Sequence, residues 1–294
     1  MAAYNGEKYI REQIDSILAQ QGVQVELVVR DDGSTDSTKS ILDEYQAKGQ
    51  LSWYTGENLR ACRSFLHLLF NAPEREFYAF SDQDDYWHAD KLITAVKKLE
   101  ECGEEKAMLY FSAKNIVDEK LKPMNTADTA VHNVSYNAAV LNCVASGCTM
   151  VFNLEAKKLA ASFMPEHATM HDAWIYRLVN AFGKVVYDSV PHIDYRQHGN
   201  NVVGADLSMK KRILAGIKSI NERRKMTYRS EGAKEMYEAF GAKLNPEYRD
   251  LTKNLMEAPG SLKARLKLVF GSGLKAQSAA ELMFIKCFIL LGWI

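Results

Sequence analysis

Asp82-Gln83-Asp84-Asp85 places three carboxylates within four residues. Like charges held that close destabilise one another in a folded chain unless a cation neutralises them. Hard oxygen donors suit Mg²⁺ or Mn²⁺, and those ions suit a diphosphate. The competing reading is that Asp84 and Asp85 merely cap a helix starting near residues 88–91. Asp31-Asp32-Gly33-Ser34 is a second acidic cluster. It reads either as a tight turn with a helix cap, or as carboxylates accepting hydrogen bonds from a nucleotide base or ribose. Asp172, within Met170-His171-Asp172-Ala173-Trp174, opens an apolar-periodic run. A helix dipole favours a first-turn carboxylate there, and a general base needs only a carboxylate within reach of an acceptor hydroxyl. Tyr195-Arg196-Gln197-His198-Gly199-Asn200-Asn201 gathers a guanidinium, an imidazole and amides in one stretch. Arg196 suits phosphate oxygens and His198 can ligate the same cation; a polar surface loop is the plain alternative.

The elements that must hold these residues alternate in type. Apolar periodicity predicts helices over 7–21, 37–48, 60–70 and 90–102, with strands over 23–30, 51–54, 76–81 and 107–113. Beyond these, residues 120–137 read as a loop, 148–153 as a strand, 154–163 and 172–182 as helices, and 185–195 as a strand. Such alternation argues for an α/β fold, with helices flanking a mostly parallel mixed sheet. Both acidic clusters follow a predicted strand at its carboxyl end, the edge where open α/β sheets bind ligands. From residue 207 onward nearly everything reads as helix.

Composition narrows the class. With 294 residues, 47% hydrophobic and 25% charged, the chain is globular. Its five cysteines show no paired spacing, which speaks against a disulfide scaffold or zinc ribbon and for a reducing cytosol. Net charge is zero, but residues 207–294 carry 17 Lys and Arg against 8 Asp and Glu, a net +9, leaving −9 on the rest. A carboxylate-rich site followed by a basic surface is the expected arrangement. No signal peptide is read in Met1-Ala2-Ala3-Tyr4-Asn5-Gly6, and the most apolar stretch, 282–294, is too short to span a bilayer. GxGxxG after a strand, GxxxxGK[ST], GxSxG and HExxH are all absent, removing the dinucleotide, P-loop, hydrolase-elbow and zincin readings.

Taken in order, the motifs resemble the family 2 glycosyltransferases of GT-A fold. The resemblance rests on Ala3-Tyr4-Asn5-Gly6, Asp31-Asp32-Gly33-Ser34-Thr35-Asp36, Asp82-Gln83-Asp84-Asp85-Tyr86-Trp87, His171-Asp172-Ala173-Trp174 and Tyr195-Arg196-Gln197-His198-Gly199-Asn200-Asn201, and covers residues 1–204. The SDQDDYW, HDxW and YRxHGNN forms are most similar to the rhamnosyltransferase branch that builds bacterial surface polysaccharides. The resemblance implies that Tyr4 lies against the nucleotide base, and that Asp32, with Asp31 beside it, hydrogen-bonds base or ribose. It places Asp82 near the ribose and donor sugar, Asp84 on Mg²⁺ or Mn²⁺, and Asp172 as catalytic base. His198 and Arg196 would complete the metal and diphosphate environment. Transfer from dTDP-rhamnose to a saccharide or lipid-linked saccharide would then proceed by single displacement with inversion. Two departures stand out: few apolar residues precede Tyr4-Asn5, and Arg60 stands where a small residue is expected.

The alternatives are a UDP- or GDP-hexose donor, nucleotidyl transfer, or a non-catalytic sugar-nucleotide binder. Nucleotidyl transfer lacks its usual Gly-rich loop, and a binder has no use for a base. Nucleic acid has only the basic tail in its favour. The expected organisation is a catalytic domain over 1–206 and a basic helical extension over 207–294, with a linker near 204–208. Lys210, Lys211, Arg212, Lys218, Arg223, Arg224, Lys225 and Arg229, then Lys263, Arg265 and Lys267, suit an anionic membrane surface on the cytoplasmic side. A homodimer through the C-terminal helices, or a solvated face, is the other reading.

Overall fold

The computed structural model describes residues 1–103, 106–124, 131–198, 228–271 and 273–294. The basic run at 210–225, the predicted linker and Gly199-Asn200-Asn201 lie outside the described residues.

Among the described residues three small sheets form the frame. The first joins β1 (Ala2–Ala3), β2 (Val28–Asp31) and β3 (Ser52–Thr55), all parallel. Helix α1 (Ile10–Leu18) covers it because Ile10, Ile14 and Ile17 recur at helical spacing and are all buried. Helix α2 (Thr38–Ala47) contributes Ile41, Leu42 and Tyr45 to the same core.

The second sheet runs β4 (Phe77–Ala79), β8 (Val151–Asn153), β6 (Met108–Ser112) and β9 (Lys184–Asp188). β8 is antiparallel to both of its neighbours, whereas β6 and β9 are parallel. The arrangement is therefore more mixed than the alternating pattern suggests. Only Val151–Asn153 of the predicted strand 148–153 is extended, since Gly147–Thr149 forms a 3₁₀ turn.

The predicted strand 185–195 is a correction of greater consequence. It is two strands, β9 and β10 (Ile193–Arg196), and they belong to different sheets. Asp188 accepts a hydrogen bond from the Val190 amide at 3.0 Å, and Pro191 has no amide to continue a ladder. The break lets β10 cross to a third sheet, between antiparallel β5 (Tyr86–Trp87) and parallel β7 (Asn115–Val117). That crossing carries residues 196–198 to the acidic loop preceding β5.

Helices α3 (Arg60–Asn71), α4 (Lys91–Glu100), α5 (Tyr136–Ala139), α6 (Leu154–Ala161) and α7 (His171–Phe182) complete the body. Among the described residues four further helices follow, Tyr228–Phe240, Pro246–Glu257, Leu262–Gly271 and Ala279–Leu291. Met236, Phe240, Leu255, Leu268 and Ile285 from these join Trp174, Ile175 and Leu178 of α7 in one large core. Among the described residues no helix is long and apolar enough to cross a membrane.

Candidate active site

The Tyr4-Asn5-Gly6 and Asp31–Asp36 segments are stitched together. Asn5 has a left-handed backbone (φ +48°), which Asn tolerates because its short amide bonds locally. Its amide N–H donates to Ser34 Oγ at 2.9 Å, and its Oδ1 accepts from the Thr35 amide at 2.8 Å. Asp31 is fully buried and accepts from the Gly33 amide, the Ser34 amide and Thr55 Oγ1. Gly33 (φ +83°) is the residue the turn requires, since a side chain there would be strained. Asp32 is also buried; it pairs with Arg30 and accepts from the Leu59 amide at 3.1 Å. Arg60, the departure noted above, has a left-handed backbone (φ +62°) where it opens α3. Both carboxylates of this loop, expected on base or ribose, thus act first on the loop itself. Tyr4, half exposed, keeps its ring open to solvent.

The second acidic loop is clasped to the first segment. Gln83 Oε1 accepts from the Tyr4 amide at 2.9 Å, and Gln83 Nε2 donates to the Tyr4 carbonyl at 3.0 Å. Asp84 Oδ2 and His198 Nε2 stand 2.8 Å apart, bringing together the two residues expected on the cation. The His198 ring stacks on Tyr9, with centroids 5.1 Å apart. Asp85 is fully buried and accepts from the Arg196 amide at 3.1 Å.

Arg196 differs from expectation. Its side chain is 2% exposed, and its guanidinium donates to Glu12, the Asp84 carbonyl and the Glu119 carbonyl while lying over the Tyr9 ring. A guanidinium committed to protein oxygens on every nitrogen has little to offer a diphosphate. Its task is to bolt α1, the DQDD loop and the turn after β7 to the strand that presents His198. Arg196→Met is therefore expected to lower stability by about 2–3 kcal/mol, below the range for a fully buried pair because Glu12 keeps access to water. Urea melts with an unchanged m-value check this, and an unaltered midpoint would count against the bolt.

Asp172 lies in the first turn of α7. Its Oδ2 accepts from the Gly147 amide at 3.0 Å and its Oδ1 from the Ala173 amide at 2.6 Å. Burial raises its carboxyl above the ordinary value, against the pull of these two amides. Asp82 is pushed up to about 7, by burial first and then by the charges of Asp84 and Asp172. Asp82 and Asp84 of one motif and Asp172 of another therefore share one electrostatic site. His171 is caged between Phe65 and Phe80, and burial holds its imidazole down to about 3, so it is neutral at physiological pH.

Lys114 is the functional candidate that motif reading passes over. Its Nζ donates to Ser146 Oγ at 2.5 Å, sits 4.6 Å from the Tyr195 ring, and favours the charged forms of Asp82 and Asp172. The signal was a lone charge just beyond the apolar β6 run, the same position that marks the acidic clusters.

A divalent cation fits these residues. Asp84 and His198 set a carboxylate oxygen and an imidazole nitrogen side by side, donor types that Mg²⁺ or Mn²⁺ accepts. Among the described residues one oxygen of buried Asp85 finds no geometric hydrogen-bond partner, and Asp82, Asp85 and Cys148 bring ligand atoms within 4.8 Å of one another. Burial pushes the Cys148 thiol well up, so oxygen and imidazole donors dominate and a hard ion is favoured over a thiophilic one.

Comparisons with known proteins agree in kind. The family model Glycosyl transferase family 2 matches residues 1–137. The chain is 30% identical over 257 residues to dTDP-rhamnosyl transferase RfbG of Shigella flexneri, covering 80% of this chain and 82% of that protein. It is 29% identical over 184 residues to a putative teichuronic acid biosynthesis glycosyltransferase, TuaG, of Bacillus subtilis, covering 61% and 71%. The fold matches that of S. aureus TarS 1-349 in complex with UDP, at TM-score 0.55 and 18% identity over 99% of this chain and 86% of that one. The chain belongs to the family 2 glycosyltransferases and has their GT-A fold. It is a glycosyltransferase.

Proposed function

We propose that the enzyme moves rhamnose from dTDP-rhamnose to a saccharide or lipid-linked saccharide acceptor in surface polysaccharide synthesis, with inversion and with Mg²⁺ or Mn²⁺. The observation that carries this reading is the Asp84–His198 pair, set beside an Asp82 that feels both Asp84 and Asp172. The rhamnose and polysaccharide assignments are supported by the names of the two relatives above.

Tyr4 offers its exposed ring to the nucleotide base, and Asp31 and Asp32 shape the loop beneath it. Asp82 faces the ribose and donor sugar. Asp84 and His198 hold the cation, which when bound supplies Lewis-acid stabilisation of the departing diphosphate. Lys114 adds a fixed positive charge to the same cleft. Asp172 accepts the proton of the acceptor hydroxyl as its oxygen attacks the anomeric carbon. The bond to the diphosphate breaks on the opposite face, and the diphosphate leaves with the bonding electron pair. No protein nucleophile is needed. Arg196 serves by position, holding the strand end that carries His198. The catalytic unit comprises residues 1–206, the helical extension supplies a partner surface, and the enzyme works on the cytoplasmic side.

A base works only when ionised, so transfer should rise with pH through the titration of Asp172. Because its carboxyl is raised, the acid limb of kcat should break above the ordinary value of about 4. A limb breaking at or below that value would count against Asp172. The broader test is a donor panel of dTDP-rhamnose and UDP- and GDP-sugars with Mg²⁺ or Mn²⁺, following diphosphate release. Release from dTDP-rhamnose alone, abolished by EDTA, is expected. A uridine donor is the second reading, because the TarS structures hold UDP and UDP-GlcNAc.

A further inference from the structure

The last two helices present an apolar face to solvent. On Leu262–Gly271 the exposed side includes Leu262, Leu266 and Phe270, at spacings of four, and Phe270 is 80% exposed. On Ala279–Leu291 the exposed positions Ala280, Met283, Phe284, Cys287, Leu290 and Leu291 form one stripe without a charged residue. Met283 is 67% exposed. The opposite side, Ile285 and Ile289, enters the core. The two helices are tied together by Arg265, which donates to the Ala258, Pro259 and Leu290 carbonyls. Most of the large exposed hydrophobic side chains among the described residues fall on this pair. A patch of this kind marks a partner surface.

Charge selects the partner. Residues 258–294 contain five Lys and Arg but a single acidic residue, Glu281. Arg265 is committed to carbonyls, whereas Lys263, Lys267 and Lys275 are exposed around the apolar stripes. Two copies meeting through such a face would oppose like charges. An anionic bilayer offers both a matching charge and an apolar interior. At 13 residues, Ala279–Leu291 is about 20 Å long, too short to span but suited to lie in the headgroup plane.

We infer that the Leu262–Gly271 and Ala279–Leu291 helices form a monotopic docking face, which seats the enzyme on an anionic lipid surface. The inference stands whether or not the rhamnose reading does, because it rests on neither donor nor acceptor. It decides between the membrane and the homodimer as partner of the C-terminal helices.

The test is flotation of the full chain with phosphatidylcholine vesicles, with and without phosphatidylglycerol. The protein is expected to float with the anionic vesicles and remain at the bottom with the neutral ones. Binding should weaken as salt is raised. Phe270→Ser/Met283→Ser/Phe284→Ser and Lys263→Glu/Lys267→Glu/Lys275→Glu should each lower the bound-to-free ratio about tenfold or more, without a shift in thermal midpoint. The salt titration on the unmodified chain needs no variant to fold. Failure of the unmodified chain to float with anionic vesicles overturns the inference. So does a dimer in light scattering that the serine variant converts to monomer without any vesicle binding.

Discussion

Asp172→Asn is expected to lower transfer about 10²–10⁴-fold while leaving donor affinity nearly unchanged. The substitution preserves shape and removes the carboxylate's charge together with its ability to take a proton. Both Asp172 oxygens accept backbone amides, from Gly147 and Ala173, so the asparagine can satisfy one and must present its own N–H₂ to the other. That mismatch should destabilise the fold by about 1–2 kcal/mol, well short of unfolding it. Donor binding by calorimetry and transfer to acceptor therefore separate the two effects. Transfer within tenfold of the unmodified enzyme, with donor still bound, would remove Asp172 from the role. Asp82 would then be the next candidate, since its carboxyl, at about 7, is also poised to take a proton. Asp82→Asn in the same assay tells the two apart.

The positions of the two acidic clusters were legible because each follows an apolar run whose period can be counted. Val28–Asp31 ends in the first acidic cluster, and Phe77–Ala79 precedes the second by two residues. What those carboxylates do was less legible. Asp31 and Asp32 read either as loop-shapers or as ligand-binders, and in the fold they are engaged by Gly33, Ser34, Thr55 and Arg30. Arg196 looked like a phosphate contact because guanidinium chemistry suits it, yet its partners Glu12 and Glu119 are far away in sequence and carry no local sign of the pairing. Strands β5 and β7, of two and three residues, are too short to show a period. The break between β9 and β10 was marked by Pro191, but only the crossing to another sheet gives that break its purpose. The apolar C-terminal run read as a membrane surface or a subunit contact, and only the fold shows which of its residues, Met283, Phe284, Leu290 and Leu291, face outward.

Asp84→Ala is expected to weaken Mn²⁺ binding about 100-fold or more, and to lower transfer in parallel. The variant is informative because it separates the ligand from the loop. Arg196 Nε holds the Asp84 backbone carbonyl, and Gln83 clasps Tyr4, so both tethers survive loss of the carboxylate. His198 also keeps its stack on Tyr9. The thermal midpoint should therefore hold or rise slightly, since one charge is removed from beside Asp82 and Asp85. For the same reason the Asp82 carboxyl should titrate lower than about 7 in the variant, once a neighbouring negative charge is gone. Mn²⁺ titration by calorimetry or paramagnetic resonance reads the first effect without relying on turnover. Unchanged Mn²⁺ affinity would remove Asp84 as the ligand and move the ion to Asp82, Asp85 and Cys148, whose ligand atoms already lie within 4.8 Å of one another. A thiol ligand would then betray itself by a preference for Cd²⁺ over Mg²⁺, whereas the Asp84–His198 pair with water and diphosphate oxygens favours the harder ions.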